Sequence, residues 1–177
     1  MELEQGKFYT TDDIYNLPEG ERAELIDGNM YMMAPPGLVH QRVSGFIYAE
    51  IYQHIKEQGG SCEVFSAPFA VFLDASNKTY VEPDISVICD KGKLDERGCN
   101  GAPDWIIEIV SASSRRMDYF TKLFKYRAAG VKEYWIIDPV KLEVMVYDFE
   151  NDTGGEYFFI DEIPSITLKG LSIKLKK

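Results

Sequence analysis

"VEPDISVICD" (residues 81–90) decides how this chain is read. A Pro-Asp pair opens it and an apolar run follows. A near echo, "PDWIIEIVSA" (residues 103–112), begins in the same way and carries Glu108 in its middle. Trp105, Ile106, Ile107, Ile109 and Val110 flank that glutamate, and an apolar run on both alternating faces predicts a strand covered on both sides. A bare carboxylate there costs several kcal/mol or takes up a proton. Asp84, at the head of "ISVI", meets a similar problem. Two carboxylates on adjacent strands can share one Mg²⁺, with water, a phosphate oxygen and a backbone carbonyl completing an octahedron. Two alternatives stand beside this: Glu108 pairs with an arginine, or it sits where the sheet edge is wet.

Working outward, the pattern predicts an α/β order. "TTDDIYNLPEG" reads as a short capped helix ended by Pro18 and Gly20. "RAELIDGNMYMM" reads as two strands around an Asp27-Gly28 turn. Val39, Val43, Phe46, Ile47, Ile51 and Ile55 form the apolar stripe of a long helix stopped at Gly59-Gly60. "CEVFSAPFAVFLD" reads as one strand bulged near Pro68, and "YVEPDISVICD" as the next. Residues 90–103 read as a loop. "DWIIEIVS" is a strand, Met117 to Ala129 a helix stopped by Gly130, and 133–138 a strand. "KLEVMVYDFE", "EYFFIDE" and "ITLKGLSIKL" read as hairpin-like strands. The order predicts a single α/β domain over 1–177 with a mixed sheet.

The composition, 45% hydrophobic and 27% charged, is that of a globular protein able to bury a sizeable core. The N-terminus "MELEQGKFYT" has no basic-then-apolar signal region, and no stretch approaches the length of a membrane span. Cys62, Cys89 and Cys99 form no C-x-x-C pair and read as reduced thiols of a cytoplasmic protein. The net charge of −10 argues against broad electrostatic attraction to nucleic acid. It leaves room for a nuclease that holds DNA through a local basic patch and a divalent cation.

Asp118, Lys122 and Tyr126 stand four apart and share one helix face. Arg115 and Arg116 precede them. Lys122 either points over the sheet at the carboxylates, where it can orient a water and stabilise developing charge, or makes an ordinary solvated ion pair with Asp118. Asp104 reads as a strand-entry turn residue, Glu82 and Asp90 as solvated, and Tyr134 and Trp135 as core or interface.

Pro83-Asp84 and Glu108-Ile109-Val110, inside helix–strand–strand–strand–helix–strand, resemble the PD-(D/E)XK nuclease superfamily. "AELIDGNMY", "HQRVSGFI", "EPDISVI", "PDWIIEIVS" and "DYFTKLFKYRAAGVKEYWIID" in that order more closely resemble its Uma-type restriction endonuclease family, from about residue 10 to 150. The resemblance implies a restriction-endonuclease-like mixed sheet flanked by helices, with a core at about 38–138 and added N- and C-terminal strands. It implies a divalent-metal-dependent DNA endonuclease with Mg²⁺ or Mn²⁺ on Asp84 and Glu108. The superfamily pattern places a lysine two residues after Glu108, where this chain has Val110; the Uma-type pattern implies that Lys122 takes that role. Glu24 in "AELIDG" and His40 in "HQRV" match family segments and are carried as additional site residues. A homodimer fits an enzyme that cuts two strands, with Tyr147, Tyr157, Phe158 and Phe159 supplying an interface or finishing the core. The rival expectations are a catalytically inactive nuclease-like interaction module and a carboxylate metal hydrolase of another phosphoester. The nuclease reading expects Lys122 to be removable at little cost in stability.

Overall fold

The computed structural model describes residues 7–175; residues 1–6, part of the stretch read for a signal region, lie outside the described residues. The chain runs α1 (Thr11–Tyr15), β1 (Ala23–Ile26), β2 (Asn29–Met32), α2 (Leu38–Gln58), β3 (Glu63–Ser66), β4 (Val71–Phe72), β5 (Tyr80–Val81) and β6 (Ile85–Ile88). It continues through β7 (Leu94–Asp95), β8 (Gly98–Asn100), β9 (Trp105–Ile109), a wide π-helical turn (Met117–Lys122) that leads into α3 (Leu123–Ala129), then β10 (Glu133–Asp138) and β11 (Glu143–Asp148). β12 (Thr153–Phe158), β13 (Ile163–Pro164) and β14 (Ser172–Ile173) complete it.

Two six-stranded sheets carry the fold, in the orders β2-β1-β5-β4-β8-β7 and β12-β11-β10-β9-β6-β3. The second is mixed: β9 and β10 are parallel, joined through the α3 helix, and its other pairs are antiparallel. Its central strand β9 is buried at all five residues. Alternation along β9 sends Trp105, Ile107 and Ile109 to a core shared with Ile47 and Ile51 of α2. Ile106 and Val110 go to the opposite core, with Tyr126 of α3 and Tyr134 of β10. Glu108 shares the parity of that second face and therefore looks toward α3.

Local signals explain the element ends. Asp13 accepts the Thr10 backbone N–H at 2.8 Å and caps α1. Asp27 and Gly28 both have positive φ, 51° and 77°, as the tight β1–β2 turn requires. Gly59 and Gly130 adopt the left-handed conformation (φ 63° and 94°) that closes α2 and α3.

The structure corrects three sequence readings. The expected single strand at 62–74 is two, β3 and β4, in different sheets, parted at the cis Ala67-Pro68 bond. The expected strand through "YVEPDISVI" is likewise two, β5 and β6, parted at Pro83-Asp84. Proline has no N–H to give a ladder, so both chains change sheets where a proline falls. The crossings run side by side, with Ala67 N–H donating to the Asp84 carbonyl at 3.1 Å. The loop expected at 90–103 contains the β7–β8 hairpin.

Cys62 and Cys89 are not separate reduced thiols. They follow the β3–β6 register, in which Glu63 faces Ile88, and are joined by a disulfide. Cys99 is free and buried. A disulfide fits an oxidising compartment or a transient redox state, so the cytoplasmic expectation loses the support it drew from the cysteines. Among the described residues no helix is long and apolar enough to cross a membrane.

Candidate active site

The antiparallel β6–β9 register pairs Ile85 with Ile107. One step back along β6 and one step forward along β9, it sets Asp84 beside Glu108. The Asp84 backbone N–H lies 3.4 Å from Glu108 Oε2, and Ile109 N–H donates to Asp84 Oδ2 at 2.7 Å. The Pro83 break between sheets leaves Asp84 half-buried at a cleft of about 600 Å³. Glu24, His40, Asp84, Glu108 and Lys122 all line that cleft, so the structure brings together the five residues that the sequence nominated for the site.

Val110 occupies the place where the superfamily pattern has lysine. It is buried in the second core with Tyr126, so no ammonium can come from there. The cation comes from across the same face. Lys122 Nζ sits 2.8 Å from Glu108 Oε1 and 2.8 Å from Glu24 Oε2. Asp118 Oδ1 is 3.9 Å away. The Asp118–Lys122 pair thus exists, but both residues are buried, which excludes the solvated surface pair. Tyr126, one turn further on, donates to Glu108 Oε1 at 2.6 Å. Glu24 reaches the site from β1 and also accepts the Glu82 backbone N–H at 3.0 Å. His40 Nε2, from the first turn of α2, lies 3.0 Å from Asp84 Oδ2.

Electrostatics follow from burying more carboxylates than cations. Burial pushes the Glu108 carboxyl well above its usual range; Lys122 opposes this, and Asp84, Asp118 and Glu24 add to it. Burial likewise raises Asp118 to about 6, against Lys122 and Ser114. Burial works against the Lys122 ammonium, but Glu108, Glu24 and Asp118 outweigh it and keep the lysine charged far above its usual range. The ammonium therefore persists, and any extra proton goes to a carboxylate. Tyr126 is pushed well above its usual value by burial and by Glu108, which makes it a permanent donor. Burial also opposes the charged form of His40, but Asp84 outweighs it and the imidazole is held above its ordinary value.

The donor set fits one hard divalent cation. Asp84 Oδ2 and Glu108 Oε1 are engaged at short range, while among the described residues Asp84 Oδ1 has no hydrogen-bond partner and Glu108 Oε2 has only the long backbone contact. Two carboxylate oxygens at one cleft are what Mg²⁺ takes when water and phosphate supply its remaining ligands. Among the described residues no group of three or more His, Cys, Asp or Glu side chains is placed to hold a metal ion, so any cation here would rest on these two carboxylates and on non-protein ligands.

Sequence reasoning missed part of the site. Tyr126 was placed on the right helix face, yet nothing in its spacing showed a bond to Glu108. Glu82 is not solvated: it is buried, takes a 2.6 Å hydrogen bond from Tyr80 and pairs with Arg22. Asp104 is buried at the other end of β9, against Lys132 and the Cys89 N–H. Tyr134 and Trp135 are fully buried core.

Residues 11–175 match the Uma2 family, described as "Putative restriction endonuclease". The chain belongs to the Uma2 family. An uncharacterised protein of Synechocystis sp. (strain ATCC 27184 / PCC 6803 / Kazusa) is 24% identical over 156 residues, 88% of this chain and 80% of that protein. The crystal structure of "a putative nuclease belonging to DUF820" from Anabaena variabilis ATCC 29413 superposes with a TM-score of 0.76 at 22% identity, covering 93% of this chain and 94% of that one. That likeness establishes the Uma2 chain's fold as the nuclease-like one, a mixed α/β sheet flanked by helices.

Proposed function

We propose that this Uma2 protein is a divalent-metal-dependent DNA endonuclease, hydrolysing phosphodiester bonds at the Asp84–Glu108 cleft. One observation carries the reading: a buried lysine, supplied by the helix after β9, meets the β9 glutamate at 2.8 Å beside an aspartate at a sheet junction. Asp84 and Glu108 would hold Mg²⁺ or Mn²⁺, which when bound lowers the pKa of a water and neutralises charge on the scissile phosphate. Lys122 has three N–H bonds. Glu24 and Glu108 take two, and the third is left to orient the attacking water or meet a phosphate oxygen. Tyr126 and the Ile109 N–H fix the two carboxylates so that their remaining oxygens stay at the cleft. His40 holds Asp84 from the α2 side. The family description supports nuclease chemistry; the metal, the DNA substrate, a cytoplasmic location and a homodimer are parts of the proposal.

A second reading, an inactive nuclease-like interaction module, is favoured by the pairing of buried Lys122 with Glu24 and Glu108, which also suits a static structural network. A plasmid-nicking assay with Mn²⁺ separates the two. Metal-dependent nicking that is lost in Asp84→Asn supports the nuclease. No nicking, with a thermal melt indifferent to Mg²⁺ and Mn²⁺, supports the module.

A further inference from the structure

The site's depth and lining bear on which form of DNA reaches it. Glu108 and Lys122 are only 4% and 5% exposed, so a scissile phosphate must come down to them. The cleft's volume of about 600 Å³ is in the range of pockets that enclose single small ligands. Its cations are already neutralised: Lys122 by Glu24 and Glu108, Arg22 by Glu82, His40 by Asp84. A nucleic-acid backbone, paired or unpaired, is gripped mainly by Lys and Arg contacts to phosphate, and in this cleft the N–H left on Lys122 lies at the floor rather than on the walls.

The walls offer stacking surface instead. β2 contributes Tyr31 and Met32, 38% and 41% exposed, to the lining. α2 contributes His40, Ser44 and Tyr48, spaced four apart on one helix face, with Tyr52 the next along that face. Tyr48 lines the cleft, and its ring stacks on the exposed Tyr52 at a centroid distance of 6.1 Å and an interplanar angle of 13°. Proteins take unpaired strands on aromatic platforms, because every base has a π face, together with positive charge along the backbone; this cleft supplies the platforms, and Lys56 stands over the Tyr52 ring at 5.6 Å.

We infer that the cleft takes an unpaired DNA strand, single-stranded or a flap, with bases stacked on Tyr31 and on the Tyr48–Tyr52 pair while its phosphate reaches the floor. This rests on the nuclease reading above and adds the substrate class. A paired phosphate is held on the outside of the helix, whereas an unpaired strand can bend its phosphate toward the buried Glu108 and Lys122.

The test compares one labelled oligonucleotide as single strand, flap and duplex, by fluorescence anisotropy in Ca²⁺ and by cleavage in Mn²⁺. The single strand and flap should bind and be cut at least about tenfold better than the duplex. Tyr31→Ala and Tyr52→Ala, both at exposed positions, should each weaken single-strand binding about tenfold, near the lower end of one base–aromatic stack. They should leave duplex binding unchanged. Equal affinity for single strand and duplex, no binding to either, or tyrosine variants that bind like the wild type would each overturn the inference. Preferential single-strand binding without cleavage of any form would keep the inference about the ligand and overturn the nuclease reading instead. Efficient duplex cutting at the single-strand rate would do the reverse.

Discussion

The two Pro-Asp dipeptides, 83–84 and 103–104, are spelled alike and end up at opposite ends of the same strand pair. β6 and β9 are antiparallel, so residues that open each strand are separated by its length. Asp84 lands beside Glu108, at the cleft. Asp104 lands beside the end of β6, where it accepts the Cys89 N–H at 2.7 Å and meets Lys132 at 2.9 Å. One carboxylate keeps an oxygen without a partner at a cavity; the other has both oxygens engaged in holding strand ends. Topology, not spelling, separates a candidate ligand from a structural cap.

The largest expected effect tests that contrast. Asp84→Asn should abolish Mn²⁺ binding by isothermal titration and abolish nicking, since it removes one ligand charge at nearly constant shape. Asp104→Asn should retain both and lose about 1–2 kcal/mol of stability in urea, the order of one buried hydrogen bond. Lys132 is half-exposed, so its ion pair adds little to that figure. Equal losses of Mn²⁺ affinity in the two variants would end the distinction.

Lys122 comes next, and the structure changes what removing it should do. The sequence reading expected a lysine that could be deleted with the fold untouched. Here its ammonium is buried among Glu24, Glu108 and Asp118. Lys122→Ala should cut DNA cleavage at least ~10²-fold. It should also lower stability by ~3–5 kcal/mol in metal-free buffer, because it strands buried carboxylates. Added Mn²⁺ should restore part of that stability, since a cation again faces Glu108. Nicking at the wild-type rate by folded Lys122→Ala protein would remove the lysine from the chemistry.

The pH dependence sharpens the same cluster. Asp118 titrates near 6 in the folded protein against 3.8 for the free side chain. The folded state therefore binds this proton more tightly than the unfolded state. Its stabilising contribution is fully present below pH 3.8 and is lost as pH rises through about 6. In EDTA, the wild type should lose on the order of 1–3 kcal/mol from this group between those limits. His40, also raised, pushes the same way at higher pH. The informative quantity is thus the difference between wild type and Asp118→Asn in urea denaturation. A difference that does not change with pH would show that Asp118 is not the titrating group.

How much of this was legible depends on the kind of signal. Helix α2, the β1–β2 hairpin, β9, α3 and β10 followed from periodicity and from Gly59, Gly130 and Asp27-Gly28, because those signals act within a few residues. The strands cut at Pro68 and Pro83 were read as continuous. Period-2 alternation carries through a sheet change, and only the third dimension shows that the prolines mark crossings. Asp84 and Glu108 stood out because a carboxylate beside or within an apolar strand run is conspicuous, whereas Lys122 had only its helix-face spacing, which an ordinary ion pair with Asp118 explained equally, and was singled out by the family resemblance. Tyr126 and Glu82 were not legible: a tyrosine near a core and a glutamate at a strand end are unremarkable until Glu108 and Arg22 are seen beside them. The cysteine reading failed because pairing between Cys62 and Cys89 depends on strand register, which spacing does not reveal.

The smallest expected effect uses the second lysine of the same helix. Lys125 follows Lys122 by three residues and also meets a carboxylate, yet its partner is Asp27 in the β1–β2 turn. Asp27 is 58% exposed and Lys125 32% exposed at their side chains, whereas the Lys122 ion pairs lie at 5–6%. Water and salt screen the Lys125 pair, and such surface bridges contribute ~0–1 kcal/mol. A helix turns about 100° per residue, so three residues swing Lys125 about 60° off the Lys122 line, enough to take it from the sheet face to the rim. Lys125→Ala should therefore shift the urea midpoint by less than ~1 kcal/mol equivalent, and that small shift should vanish in high salt. Nicking in Mn²⁺ should match the wild type. If Lys125→Ala instead reduced nicking as far as Lys122→Ala does, the activity would depend on positive charge anywhere along this helix, and the assignment of one buried lysine to the site would fail.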